Sequence, residues 1–225
     1  MVFGLVLGVI SVAAMAFFVN LTAAFLTLLA IAFYVVVYTI WLKRSTPQNI
    51  VIGGAAGAFP PLVGYAAMAG KLDLTALYLF AIIFYWTPPH FWALALLKKG
   101  EYAKAGVPML PVVRGDRETK VQMLIYTLIL LPLTILPALI GAFGLLYAVA
   151  ALALGGRFLW YNFQLLREEG VTPTAWKMYK YSLVYLALLF VAMSVDRSLP
   201  REAVAQAPHV LILDQPEPAS GIPGR

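Results

Sequence analysis

Tyr85-Trp86-Thr87-Pro88-Pro89-His90-Phe91-Trp92 sits inside an apolar run and leads directly into a basic loop, Lys98 to Lys120, which contains Gly106-Val107-Pro108-Met109-Leu110-Pro111. Each proline removes a backbone donor, and an imidazole is costly to place in hydrocarbon without a partner. The composition on either side puts this stretch in a membrane. Of 225 residues, 62% are hydrophobic and 12% charged, with mean hydropathy +0.86. Runs of about 20 apolar residues, the length that crosses a bilayer core, recur along the chain. The expected fold is all-α, a polytopic transmembrane helix bundle.

Working outward from the motif gives about seven spans: Met1 to Val19, Leu21 to Leu42, Ile50 to Ala69, Leu74 to Leu97, Val121 to Ala142, Phe143 to Leu166 and Tyr181 to Val195. The first has no basic start of the kind that opens a signal peptide. Pro60-Pro61 is expected to interrupt the third span, the Thr87 to His90 stretch to break the fourth, and Pro132 and Pro137 to kink the fifth. Gly53, Gly54 and Gly57 have the small-residue spacing that lets helices approach closely. The later half of the sixth span carries Arg157, Asn162 and Gln164, which places that end at an interface or inside the bundle. From Asp196 the chain turns polar and proline-rich, so residues 1–195 read as one bundle and 196–225 as a disordered tail. No short-period repeat and no second soluble domain is evident.

The net charge of +6 is no sign of nucleic-acid binding, because the basic residues cluster in loops on one side. Lys43 and Arg44, then Lys98, Lys99, Lys104, Arg114, Arg117 and Lys120, then Arg167, Lys177 and Lys180 occupy alternate connections. Positive charge marks the cytoplasmic side. The reading is a multi-pass protein of the cell inner (cytoplasmic) membrane with its C-terminus outside. The absence of cysteine excludes disulfide and thiolate chemistry.

Four groups of residues are candidates for chemistry. Lys43 and Arg44, with Thr46 and Asn49, supply the point charge, planar fork and neutral donors that suit phosphate oxygens; the plain reading of Lys43-Arg44 is a topological anchor. Glu101 and Asp116, with Tyr102 among the basic residues, offer carboxylates of the kind that hold Mg²⁺ together with substrate phosphates, or are simply solvated charges. His90 is an ionisable group inside a span and so a functional candidate, unless it is a neutral imidazole bonded to a neighbouring helix. The other histidine, His209, falls in the tail. The aromatic set Tyr34, Tyr38, Tyr65, Phe84, Tyr85, Trp86, Phe91 and Trp92 can face a cation with its rings, or serve as packing and interfacial belt.

Taken together and in order, Tyr38 to Asn49 with Ile50 to Gly54, Thr87 to Leu94, Glu101-Tyr102 with Ala105 to Pro111, and Met193-Ser194-Val195-Asp196 resemble the intramembrane prenyltransferase superfamily, and within it the branch that farnesylates haem. The likeness covers nearly all of the chain up to the tail. It implies a bundle of nine helices around a central cavity. A prenyl diphosphate binds there through Mg²⁺ held by two acidic motifs on cytoplasmic loops. It further implies farnesyl diphosphate as donor and haem B as substrate, with haem O as product, and the lipid bilayer and haem A synthase as partners. Carried over residue by residue, Lys43 and Arg44 match the diphosphate contacts, with Asn49 beside them. Glu101 stands where the family has an aspartate of its second acidic motif, as a metal ligand. His90 and Tyr102 are the catalytic candidates, and Tyr38, Tyr85 and Trp86 the cation-shielding aromatics.

One departure accompanies the match. The family's first acidic motif, an Asn followed by spaced aspartates and a basic run, has no counterpart here, and the resemblance places Met1 where the family's third helix begins. The expectation is a chain lacking two helices and half the metal site, which alone makes no haem O. The alternatives are a quinone or chlorophyll prenyltransferase with the same donor chemistry, a transporter with broken helices, or a non-enzymatic assembly protein. A transporter is disfavoured by the lack of an internal pseudo-repeat, and a retinal-type seven-helix receptor by the lack of a mid-helix lysine.

Overall fold

In the computed structural model, which describes residues 2–199, every long element is a helix. They are α1 (Val2–Phe18), α2 (Leu21–Ala32), which passes into a π-helical segment (Phe33–Leu42), α3 (Asn49–Ala69), α4 (Leu74–Leu97), the short α5 (Lys99–Lys104) and α6 (Leu110–Val113), α7 (Gly115–Leu139), α8 (Leu145–Arg167) and α9 (Pro173–Ser198). Five are long and apolar enough to cross a membrane: Leu21–Leu42, α3, α4, α7 and α9. α1 is apolar but has only 17 residues. In α8, Arg157 lies over Trp160 and Tyr161 at 4.6 and 5.0 Å, and the buried Asn162 amide donates to Thr127 Oγ1 and Phe158 O.

Polar side chains set the helix ends where the chain leaves the apolar layer. Asn20 accepts from Ala23 N at 2.8 Å and so caps α2, while its amide nitrogen donates to Ala66 O and Ala67 O at the far end of α3. Gly70, at φ +70°, ends α3 in the left-handed conformation that only glycine adopts without strain. Asp73 caps α4 by accepting from Thr75 N and Ala76 N. α8 has no cap of its own; instead the buried Asp196, near the end of α9, accepts from Gly144 N at 2.6 Å and Tyr147 N at 3.2 Å. The closing Met193-Ser194-Val195-Asp196 motif is thus a helix cap supplied across the fold.

Several boundaries differ from expectation. The proline pairs Pro60-Pro61 and Pro88-Pro89 lie within α3 and α4, which continue through them rather than break. Most of the connection expected between Lys98 and Lys120 is helical. The last span begins at Pro173 and runs to Ser198, so the loop expected from Arg167 to Lys180 shrinks to a few residues. The expected tail from Asp196 therefore begins inside a helix, and 200–225, with His209, lie outside the described residues.

α4 is the hub. It packs against α3, α7 and α9, and α7 and α9 both pack on α8, so α4, α7, α8 and α9 close a four-helix ring. Its core includes Trp92, Met123, Leu130, Tyr147, Phe158, Met178 and Tyr185. From the other side of α4 the helices run outward in a row, α3 to α2 to α1, with a smaller core of Leu26, Phe59, Leu62 and Ala66. α3 and α9 both rest on α4 but not on each other. Between them lies an apolar cleft of about 430 Å³ lined by Pro61, Ile83, Trp86, Leu183, Leu186, Ala187 and Phe190.

Candidate active site

The charged connections gather at one end of the bundle. α3 and α4 are antiparallel neighbours, so the start of α3 and the end of α4 share that end with α5, α6, the start of α7 and the α8–α9 turn. Lys120, buried at the start of α7, closes the group by donating to Glu168 O and Gly170 O at 2.7 and 2.8 Å.

Lys43 and Arg44 are exposed on a tight turn anchored by the buried Leu42. Lys43 N donates to Tyr38 O at 2.8 Å, five residues back, which is the last bond of the π-helical segment. Asn49 is 1% exposed; its amide nitrogen donates to Lys43 O at 3.3 Å, and its Oδ1 is buried without a hydrogen-bond partner. No side chain caps α3; Asn49 N donates to Thr46 O at 3.2 Å, and the helix starts five residues after Arg44, so its positive end and the two cations lie at the same turn. That combination suits an anion. The sequence reading named these three residues, and the structure brings them together.

Glu101 and Asp116 are each engaged by a lysine: Lys98–Glu101 at 2.6 Å with both side chains largely exposed, and Lys99–Asp116 at 2.8 Å. The Glu101 carboxylate holds the Lys98 ammonium above its usual range. Tyr102, half-buried beneath this lip, lies within electrostatic reach of Tyr38 and Tyr179; burial first, and the Glu101 charge second, push its phenol up. Among the described residues no three or more acidic or histidine side chains form a metal cage. Mg²⁺, however, is usually held by one or two carboxylates completed by substrate phosphates and water. Glu101, tied only to an exposed lysine, fits the part of one such carboxylate.

His90 is buried on the α9 side of α4. Its ring stacks on Trp86 at 4.3 Å and on Tyr179 at 4.8 Å, and meets the edge of Phe91 at 5.0 Å. Nδ1 lies 2.6 Å from Ser182 Oγ, and the Ser182 hydroxyl also lies 2.6 Å from Tyr179 O, to which it must donate because a carbonyl only accepts. A hydroxyl has one proton, so Nδ1–H donates to Ser182, and in the neutral ring Nε2 is left with its lone pair. Trp86 Nε1–H donates to Ser182 O at 2.9 Å, which fixes the same pair of helices. The imidazole is therefore bonded to a neighbouring helix and still presents a second, lone-pair nitrogen.

On its other side α4 borders a smaller cavity of about 240 Å³, lined by Tyr34, Tyr38, Ile50, Gly53, Gly54, Ala56, Gly57, Thr87 and Phe91. Its shape depends on the glycines. A Cβ on Gly53 would lie 2.2 Å from the Tyr38 ring, and one on Gly54 2.8 Å from Thr87 of α4, whereas one on Gly57 would meet nothing within 4 Å. Two of the three glycines therefore permit close packing and the third leaves open space. Of the aromatics singled out in the sequence, Tyr38 lines this cavity, paired with Tyr34 at 5.5 Å. Trp86 lines the 430 Å³ cleft instead, and Tyr85 turns toward Phe84 and Tyr126. Along the axis of α4 the cleft, at Ile83, lies one turn farther from the basic end than the cavity, at Thr87, and the two spaces share no lining residue.

Ser182 and Tyr179 were missed by sequence reasoning. Ser182 is an isolated hydroxyl in an apolar run, and Tyr179 lies in what reads as a loop; only the helix start at Pro173 brings them opposite His90.

A family model described as the UbiA prenyltransferase family matches residues 1–194. The chain is 59% identical over 196 residues to a protein of Roseiflexus castenholzii named protoheme IX farnesyltransferase, covering 87% of this chain and 36% of that one. It is 52% identical over 201 residues to a protein of the same name from Parvibaculum lavamentivorans, covering 88% and 63%. The chain thus spans between about a third and two thirds of the length of these curated relatives. A solved structure from work on digeranylgeranylglyceryl phosphate synthase in membranes superposes with TM-score 0.73 at 21% identity, covering 86% of this chain and 67% of that chain. At that identity it is the fold that is shared.

Proposed function

The chain belongs to the UbiA prenyltransferase family, and on that premise we propose that it acts in transfer of a farnesyl group from farnesyl diphosphate to a vinyl group of haem B, giving haem O. The observation that carries this reading is the placing of an aromatic cavity directly beneath a basic turn: Tyr38 lines the cavity, and its carbonyl is bonded by Lys43 of the turn. An isoprenoid tail fits the apolar part, and a diphosphate fits Lys43, Arg44 and the uncapped start of α3. Relatives at 50–59% identity named protoheme IX farnesyltransferase support the choice of donor and acceptor.

The carbon–oxygen bond to the allylic C1 breaks with both electrons leaving on the diphosphate, whose charge Lys43 and Arg44 offset. The π electrons of the haem vinyl group form the new carbon–carbon bond to the allylic cation. Water adds to the resulting cation beside the macrocycle and loses a proton, leaving a hydroxyethylfarnesyl group. Mg²⁺ neutralises part of the diphosphate charge when bound, with Glu101 as its carboxylate from this chain. The flat acceptor is assigned to the 430 Å³ cleft, whose wall includes Trp86, and His90, stacked on Trp86 at 4.3 Å with Nδ1 bonded to Ser182, is assigned to take up the proton lost by water at Nε2. The basic end is assigned to the cytoplasm, which puts the end of α9 outside.

The test is mass spectrometry of haems extracted from a strain deleted for the gene that carries this sequence. Loss of hydroxyethylfarnesyl haem with unchanged quinones supports the proposal. Intact haems with missing prenylated quinones would transfer the activity to a quinone ring.

A further inference from the structure

Arg157 stands near the middle of the 23 residues of α8, exposed on the side that α8 turns away from α7 and α9. Both of those neighbours are long and apolar enough to cross a membrane, so Arg157 sits at bilayer depth, where an unpaired charge is costly. Its guanidinium lies over Trp160 and Tyr161 at 4.6 and 5.0 Å, and Nη2 donates to Tyr161 Oη at 3.2 Å. The side chain therefore reaches toward the charged end of the bundle. The ring faces offset part of its charge, but a guanidinium carries five N–H donors and Tyr161 accepts from one. Arg167, exposed about 15 Å farther along the helix, is the second cation on this side. Among the described residues no carboxylate pairs with either arginine.

The same side of α8 carries a pocket of about 530 Å³ lined by Trp160, Phe163, Gln164, Arg167 and Glu168. Trp160 belongs to both features, since its ring lies under Arg157 and also lines the pocket. The Glu168 carboxylate is engaged by α9, where the hydroxyls of Thr172 and Thr174 donate to its two oxygens and soften its repulsion of an anion. Farther from the charged end the row becomes aliphatic: Val149 and Leu152 are exposed, and a Cβ on Gly156 would meet nothing within 4 Å. Cations and rings at one level, followed by an open aliphatic row, match the phosphate and acyl chains of a phospholipid. A zwitterionic headgroup would bring an ammonium beside two guanidinium groups, so the charge pattern selects an anionic one. A second copy of the chain fits worse, because two-fold pairing on this side sets Arg157 and Arg167 against the same cations. We propose that α8 binds one anionic phospholipid, its phosphate drawn between Arg157 and Arg167 beside Gln164 and its acyl chains passing Gly156 along Val149 and Leu152. No residue of this pocket lines either space assigned to prenyl transfer.

The test is native mass spectrometry of the protein released from nanodiscs that hold equal amounts of phosphatidylglycerol and phosphatidylcholine. The wild type is expected to retain one phosphatidylglycerol in preference to phosphatidylcholine by about tenfold, the scale of one or two cation–headgroup contacts. Arg157→Gln with Arg167→Gln should abolish the preference and, both side chains being exposed, melt in detergent as the wild type does. Arg157→Lys with Arg167→Lys should keep most of it, and Lys104→Gln, on the exposed surface of α5, should leave it unchanged. A second measurement needs no change to the arginines: phosphatidylglycerol brominated in its acyl chains should quench tryptophan fluorescence more than brominated phosphatidylcholine, and Trp160→Phe should remove the difference. Equal retention of the two lipids by the wild type, a preference that survives the glutamine pair, or quenching indifferent to Trp160 would overturn the proposal. So would an equal loss on Lys104→Gln, the mark of a diffuse field, or dimers that form without phosphatidylglycerol and fall apart in the glutamine pair, the mark of an interface between copies.

Discussion

At the scale of single residues, the 2.6 Å contact between His90 Nδ1 and Ser182 Oγ, with the Ser182 proton already given to Tyr179 O, fixes which imidazole nitrogen carries the hydrogen. An imidazole inside an apolar run was legible as a site candidate, but its protonation pattern is set by Ser182, 92 positions away, on a helix whose start was read as loop. The tautomer is open to direct measurement, because the chain has two histidines and a His209→Gln background leaves one. In ¹⁵N spectra of that protein, Nδ1 should be protonated and Nε2 bare. Ser182→Ala should mix or reverse the tautomers and cost about 1 kcal/mol of stability through the stranded donor, while Ser182→Thr should keep both. The glycines make a second graded series. Gly53→Ala should displace the Tyr38 ring and weaken binding of an isoprenoid diphosphate by about tenfold or more, a loss of at least 1.4 kcal/mol. Gly57→Ala, with open space around its new methyl group, should fold as the wild type does.

At the scale of elements, the proline pairs were recognised as costly but were expected to break their helices. The helices continue because each proline removes the donor of one carbonyl and leaves the rest of the ladder in place, and in α7 a packed neighbour also takes over the carbonyl left behind. α7 shows the exchange in full. Pro137 leaves the Leu133 carbonyl without its donor, and the Tyr78 phenol of α4 donates to it instead. The two residues should therefore be coupled. Tyr78→Phe alone should cost about 1–2 kcal/mol by stranding that carbonyl, and nearly nothing in a Pro137→Ala background, where the restored N–H reclaims it. Additive effects in thermal unfolding of the four proteins would remove this explanation of how α7 tolerates its proline. The π-helical segment was not legible, since its ten residues show the same apolar composition as an α-helical span. The cap on α8 was hidden for a different reason. Asp196 acts on Gly144 and Tyr147 from 52 and 49 positions away, and local pattern carries no trace of such a partner.

At the scale of the whole molecule, the apolar runs and the one-sided basic loops were enough to anticipate an all-α membrane bundle with its charged chemistry at one end. What they left open was the arrangement inside it. Nothing in the periodicity of α4 singles it out as the helix shared by a closed four-helix ring and an outward row, yet that sharing places two apolar spaces on different sides of α4, one toward the Phe33–Leu42 segment below the Lys43-Arg44 turn and one between α3 and α9 against Trp86. It also explains why Tyr38 and Trp86, grouped together in the sequence, belong to different spaces. The central claim is that an isoprenoid diphosphate lies in the first of these with its head at the basic turn. Photolabelling with a farnesyl diphosphate analogue that carries a diazirine in its tail, followed by mapping of the adducts by mass spectrometry, tests it most directly. Adducts are expected on the Phe33–Leu42 segment, α3 and α4, abolished by Lys43→Ala with Arg44→Ala; adducts confined to α1 and α2 or to α8, or labelling indifferent to that pair of substitutions, would contradict the claim.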